Sequence, residues 1–222
     1  MTASRRRQWL VPTGLIALSL VPVAAGAARL TQLAGGVPVT SENARFFAMP
    51  APVIVHIIGA TVFCLVGAFQ FVPTLRRNAW HRRAGRLLVP FGLAAATSGL
   101  WMAVFYDLPA HDNALLEAFR LLFGTLMIVS LVLGVTSIVR HDVRQHRLWM
   151  MRGYAIGLGA GTQVLVILPW TIAFGAPNAT VRALLMASGW IINLAFVEVI
   201  SRRPSRSHST ERLMQPAASS LR

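Results

Sequence analysis

The chain has 222 residues, 55% of them hydrophobic and only 13% charged, with a mean hydropathy of +0.59. A soluble domain carries roughly a quarter charged residues, so this chain has too little polar surface to cover a water-facing globule, and lipid must be its solvent for much of its length. The net charge of +14 does not mark a nucleic-acid binder, because the basic residues form short clusters between long apolar runs instead of a polar surface interleaved with aromatics.

Crossing a hydrocarbon core of about 30 Å takes roughly 20 helical residues. Six apolar stretches reach that length: 9–28, 51–73, 87–106, 118–139, 153–174 and 183–200. Lipid cannot satisfy exposed backbone groups, and the period-two alternation of a barrel strand is absent, so the spans are helices. The predicted class is all-α, an integral membrane bundle of six transmembrane helices with both termini cytoplasmic. Residues 1–8 form a short N-terminus, 9–200 the transmembrane domain, and 201–222 a disordered, basic tail suited to anionic lipid.

The first stretch has a second reading. Arg5 to Arg7, the apolar run and Ala25-Gly26-Ala27 also fit a signal peptide, and Arg6-Arg7-Gln8-Trp9-Leu10 resembles a twin-arginine signal. No soluble passenger follows, so an uncleaved anchor is the reading taken. In the second stretch Cys64, the sole cysteine, is expected as a small buried residue. Gly153, Gly157 and Gly161 recur every four residues in the fifth, which predicts one helix face open to close backbone approach. Glu198 and Arg202 are four apart at the end of the sixth and are predicted to pair.

Arginine placement sets the predicted orientation. Seventeen of the 21 basic residues, all arginine, fall on one side: Arg5 to Arg7, the segments 76–86 and 140–152, and the tail from Arg202. The other side holds Arg29, Arg45, Arg120 and Arg182, balanced by Glu42, Asp107, Asp112 and Glu117. By the positive-inside rule the arginine-rich side is cytoplasmic, which predicts a multi-pass protein of a bacterial inner membrane.

Histidine in or beside a span is costly enough to suggest function. With His208 set aside in the tail and His141 in an inner turn, topology sorts four histidines into two pairs. His56, in the second span among apolar neighbours, and His111, before the fourth, belong to the outer face. His81, before the third span, and His146, before the fifth, belong to the inner face. Alternate helices of a bundle can face each other, and two imidazoles at one level can supply both axial ligands to a haem iron. Arg82 and Arg147 beside the inner pair suit haem propionates. The alternative for the inner pair is contact with phospholipid phosphates, and for the outer face a metal site of His56, Asp107, His111 and Asp112.

The segments Trp80-His81-Arg82-Arg83-Ala84-Gly85-Arg86-Leu87 and His146-Arg147-Leu148-Trp149-Met150-Met151-Arg152-Gly153-Tyr154-Ala155 resemble a bacterial membrane-protein family, domain of unknown function 2306. His56 followed by Gly59, and the run Gly67 to Phe71, add to that likeness, which covers about residues 50–200 and implies no established activity. More distantly, the histidine order is similar to that of the ascorbate-reducible di-haem cytochromes b, whose second and fourth helices hold one haem and third and fifth the other. That resemblance implies haem sites at His56 with His111 and at His81 with His146. In this chain His111 precedes its helix, and His81 and His146 sit in arginine-rich turns. No Cys-x-x-Cys-His motif occurs, so the haem would be b-type.

The functional expectation is a b-type electron carrier with histidine-ligated sites at both faces and a quinol or other redox partner. The alternatives are a small transporter and a non-catalytic scaffold without cofactor. Mid-span polarity is mild (Thr125, Ser130, Thr162, Gln163, Asn193), and no nucleophile–base pair or phosphate loop marks a hydrolase.

Overall fold

The computed structural model describes residues 8–76, 78–109 and 111–202. Arg5 to Arg7, with the signal-peptide readings that begin there, and the tail from Arg203, with His208, lie outside the described residues. Every regular element among those described is helical: α1 (Leu10–Gly35), α2 (Ala44–Ala48), α3 (Pro50–Ala68, continued by a 3₁₀ turn at Phe69–Phe71), α4 (Pro73–Arg76), α5 (Ala79–Phe105), α6 (Ala114–Val139), α7 (Val143–Gly157), α8 (Gly159–Phe174) and α9 (Ala179–Ser201). Five of these (α1, α3 with its 3₁₀ turn, α5, α6 and α9) are long and apolar enough to cross a membrane. The α7–α8 pair, bent by 44° at Leu158, makes a sixth span when read as one.

Local chemistry marks the boundaries. Proline opens α3, where a missing N–H costs nothing. Asn113, Asp142 and Asn178 cap α6, α7 and α9 by accepting from the backbone N–H three residues on. Gly36, at φ 63°, ends α1 in the left-handed region that glycine adopts freely. The third and fifth spans start well before the predicted residues 87 and 153, at Ala79 and Val143. Their first turns hold arginine and histidine, whose long side chains reach toward water while the backbone stays helical, so an apolar window misses them.

Four helices form a ring: α3 packs along α5, α5 along α6, α6 along α7, and α7 returns to α3. Diagonal partners in this ring are therefore the second and fourth spans and the third and fifth. Outside the ring, α1 packs on α3 and α8, and α9 on α6, α7 and α8. Phe63, Leu88, Met127, Leu131 and Tyr154 fill the middle. α3 and α5 approach closely through their backbones: a Cβ on Gly59 would stand 2.9 Å from the Phe91 carbonyl oxygen and 3.0 Å from the Ala95 nitrogen.

No proline causes the bend at Leu158; glycines flank it, and side chains satisfy the carbonyls around it. Asn193 Nδ2 donates to the Ala155 carbonyl (3.0 Å), Thr162 Oγ1 donates to Asn193 Oδ1 (2.8 Å), and the Cys64 thiol lies 3.5 Å from the Gly157 carbonyl. Tyr154 returns the tie by donating to the Cys64 carbonyl at 2.7 Å. The bend also divides the glycine repeat among three neighbours: Gly153 faces Leu131, Gly157 faces Phe63, and Gly161 abuts the backbone of Leu18. Glu198 forms its ion pair not with Arg202 but with Arg152 of α7, Nε to Oε1 at 2.7 Å. A partner on a packed neighbour is already oriented, whereas one at the fraying end of the same helix must be ordered.

Charge separates the two ends of the bundle. Arg45, Asp107, Asp112, Arg120 and Arg182 gather at one end, and Arg76, Arg82, Arg147 and the Arg152–Glu198 pair lie toward the other.

Candidate functional site

A cavity of about 540 Å³ opens among the loops of the acid-bearing end and runs down to the bend at Leu158. Its upper wall includes Arg45, His111 and Asp112; deeper it meets His56, Gln163 and Trp190. Mostly apolar walls with a few convergent polar groups are the usual make-up of a small-molecule site.

Asp112 organises the mouth. Its side chain is 1% exposed, and it accepts from Arg120 Nη2 at 2.7 Å and from Arg182 Nε at 2.9 Å, one guanidinium per carboxylate oxygen. The bridge links the α5–α6 loop to α6 and α9. Burial opposes ionisation of this carboxyl, but the hydrogen bonds and charges of the two arginines outweigh it and hold it below the usual carboxylate range. Arg45 is placed differently: it lies 4.6 Å from the Phe46 ring centroid, with Arg29 on the same ring at 4.5 Å, and reaches the Asp107 carbonyl at 3.4 Å. Among the described residues it forms no ion pair.

His56 sits deeper, half-buried on α3. Its Nδ1 lies 2.8 Å from the Ala95 carbonyl of α5, and its ring packs against Gly99. A carbonyl can only accept, so Nδ1 carries the proton, and in the neutral ring Nε2 keeps its lone pair. His111 is exposed at the rim and lines the same cavity. The two outer histidines thus share one space.

The inner histidines open diagonal helices of the ring at the other end. His81 and His146, each half-buried in the first turn of α5 and α7, lie within electrostatic range of one another and of Arg76 and Arg82. His146 fixes its ring by donating Nδ1–H to the Gly134 carbonyl at 2.8 Å, whereas His81 Nδ1 is buried without a partner among the described residues. Neither lines the large cavity. One to two turns toward the core from this pair, Leu88, Leu131, Met150 and Tyr154 pack together. Arg82 and Arg147 are exposed beside it.

This bundle, from early α3 to the end of α9, is the part that one family model recognises: the family described as "Predicted membrane protein (DUF2306)" matches residues 53–201. The chain belongs to that family. No curated protein and no solved structure matches it. The matched stretch takes in the four-helix ring and all four histidines of the two pairs.

In this DUF2306 protein the hard-metal alternative at the outer face is not formed. Among the described residues no three histidine, cysteine or acidic side chains gather as a metal cage requires. The two oxygens of Asp112 are already held by arginine. Sequence reading missed three parts of the site. The Asp112 bridge showed only as balancing charges in separate loops. The bend left a trace in Gly157 and Gly159. Gln163, held by the Met186 carbonyl at 2.9 Å, and Trp190, stacked on Phe123 at 4.8 Å, read as ordinary span residues.

Proposed function

We propose that this multi-pass DUF2306 protein is a membrane redox carrier holding one b-type haem in the cavity at its acid-bearing end. The observation that carries the reading is His56: its Nδ1–H is anchored on the Ala95 carbonyl, and its free Nε2 belongs to a side chain lining a 540 Å³ cavity. Metal-binding histidines characteristically use one ring nitrogen on a backbone carbonyl and the other on the metal. The donor set fits the group. His56 is the fixed imidazole, His111 on the rim is the second, apolar walls suit a flat macrocycle, and Arg45 carries an unpaired cation toward its carboxylates. Bound haem supplies one-electron transfer, and a quinol dissolved in the bilayer is a partner of matching chemistry. The chain's own part is to orient the His56 ring, exclude water from the lower cavity and keep the mouth cationic. The arginine excess at the other end supports, by the positive-inside rule, an outward-facing cavity in a bacterial inner membrane. The haem is assigned to this cavity alone, since Leu88, Leu131, Met150 and Tyr154 occupy the core side of the inner pair.

One observation favours a second reading, a small transporter: the cavity ends on a broken helix, and transporters place substrates at such breaks. A reduced-minus-oxidised absorption spectrum separates the two. The haem reading expects a b-type difference spectrum in the purified full chain, lost in His56→Ala and kept in His81→Gln with His146→Gln. Protein purified from haem-replete cells without haem absorption would overturn it.

A further inference from the structure

The arginine-rich end has a second, differently built place. The 3₁₀ turn at Phe69–Phe71 is wedged between two helices: Phe69 meets Trp80 at the start of α5, with centroids 6.4 Å apart, and Phe71 meets Tyr154 of α7 at 5.1 Å. Arg76 is pinned to this wedge, Nε to the Gln70 carbonyl at 3.1 Å and Nη2 to the Phe71 carbonyl at 3.4 Å. Its charge is therefore held near the first turns of α5 and α7 instead of sweeping through solvent. Arg147 lies within electrostatic range of it, and His81 within range of Arg76, Arg82 and His146. Among the described residues neither Arg76 nor His81 forms an ion pair with an acid. The described acids on this side are engaged elsewhere, Asp142 as the α7 cap and Glu198 with Arg152. Positive groups gathered without a counter-charge repel one another, which an anion relieves.

Two further observations point to an occupant. Among the described residues His81 Nδ1 and Gln70 Nε2 are buried side-chain atoms without a hydrogen-bond partner, and such atoms normally have one. The first turn of α5 also lacks a side-chain cap, so its N–H groups add to the positive end of the helix dipole.

We infer that Arg76, Arg147, His81 and Gln70 form a phosphate-binding site occupied by the headgroup of an anionic phospholipid. The position argues for lipid over free phosphate: the site lies where two span helices begin, and Trp80, packed on Phe69 of the wedge, sits there as interfacial aromatics do. This site is separate from the haem reading, and each can fail without the other.

The test uses the full chain in zwitterionic detergent, titrated with brominated phosphatidylglycerol while tryptophan fluorescence is read, with inorganic phosphate titrated in parallel. Saturable quenching is expected, unaffected by inorganic phosphate. Arg76→Gln with Arg147→Gln should weaken it about tenfold or more, since each lost charged hydrogen bond is worth about that factor. Arg83→Gln with Arg144→Gln removes the same charge from outside the proposed site at the same end and should change the affinity by less than about twofold. If the first pair does not fold, Arg76→Lys with Arg147→Lys keeps the charge, loses the planar fork and should still weaken binding. Equal weakening in both glutamine pairs, or saturation by inorganic phosphate in place of lipid, would overturn the proposal.

Discussion

Replacing Asp112 by Asn preserves the side chain's size and removes its charge, leaving Arg120 and Arg182 facing each other across the cavity mouth. Each charged hydrogen bond, at 2.7 and 2.9 Å, contributes about 1.5–3 kcal/mol when buried. The carboxylate is 1% exposed but the guanidiniums 31% and 29%, so water recovers part of the loss. A net cost of about 2–3 kcal/mol follows, which globular scaling for a chain of this size turns into roughly 5–10 °C of melting temperature. Near-UV circular dichroism of the protein in mild detergent reads it directly. The pH dependence supplies a second check. The folded pKa of Asp112 is depressed, so its contribution is fully present above the unfolded value near 3.9 and is lost as pH falls through the folded one. Wild type and Asp112→Asn should therefore begin to converge in stability below about pH 4 and meet only once pH falls past the depressed folded pKa. A neutral-pH melting temperature within about 2 °C of wild type would refute the reasoning.

Other outcomes follow from the packing. Gly59→Ala sets a methyl against the α5 backbone and should cost about 2 kcal/mol or more, while Gly14→Ala, which meets nothing within 4 Å, should be neutral or stabilising by up to about 1 kcal/mol; chemical unfolding of both variants tests the contrast. Asn193→Leu leaves the Ala155 carbonyl and the Thr162 hydroxyl unpartnered, so hydrogen exchange around residues 155–162 should accelerate; unchanged protection there would show that the clasp does not hold the bend. Reporter fusions within 78–86 and 140–152 should read cytoplasmic and those near 107–112 external, and a cytoplasmic signal at residue 107 would reverse the orientation.

Much of the fold was legible in one dimension. Hydropathy and arginine spacing are local quantities, and lipid leaves a chain few ways to satisfy its backbone, so an all-helical membrane bundle and its two differently charged ends followed from Arg76 to Arg86, Arg140 to Arg152 and the apolar runs between. The same spacing sorted His56 with His111 and His81 with His146; the first two line one cavity, and the other two open diagonal helices at the arginine-rich end. Tertiary structure decided what each pair faces. The outer pair lines a cavity walled by residues of α3, α5, α6, α8 and α9 beneath the Asp112 bridge, whereas the inner pair borders packed Leu88, Leu131 and Tyr154. It also decided the break at Leu158, which no proline announces. Those features depend on partners far apart in the chain: Asn193 and Ala155 are 38 residues apart, Asp112 and Arg182 are 70, and Tyr154 and Cys64 are 90. A hydrogen bond forms where two groups meet in space, and a sequence records only what each residue brings to the meeting.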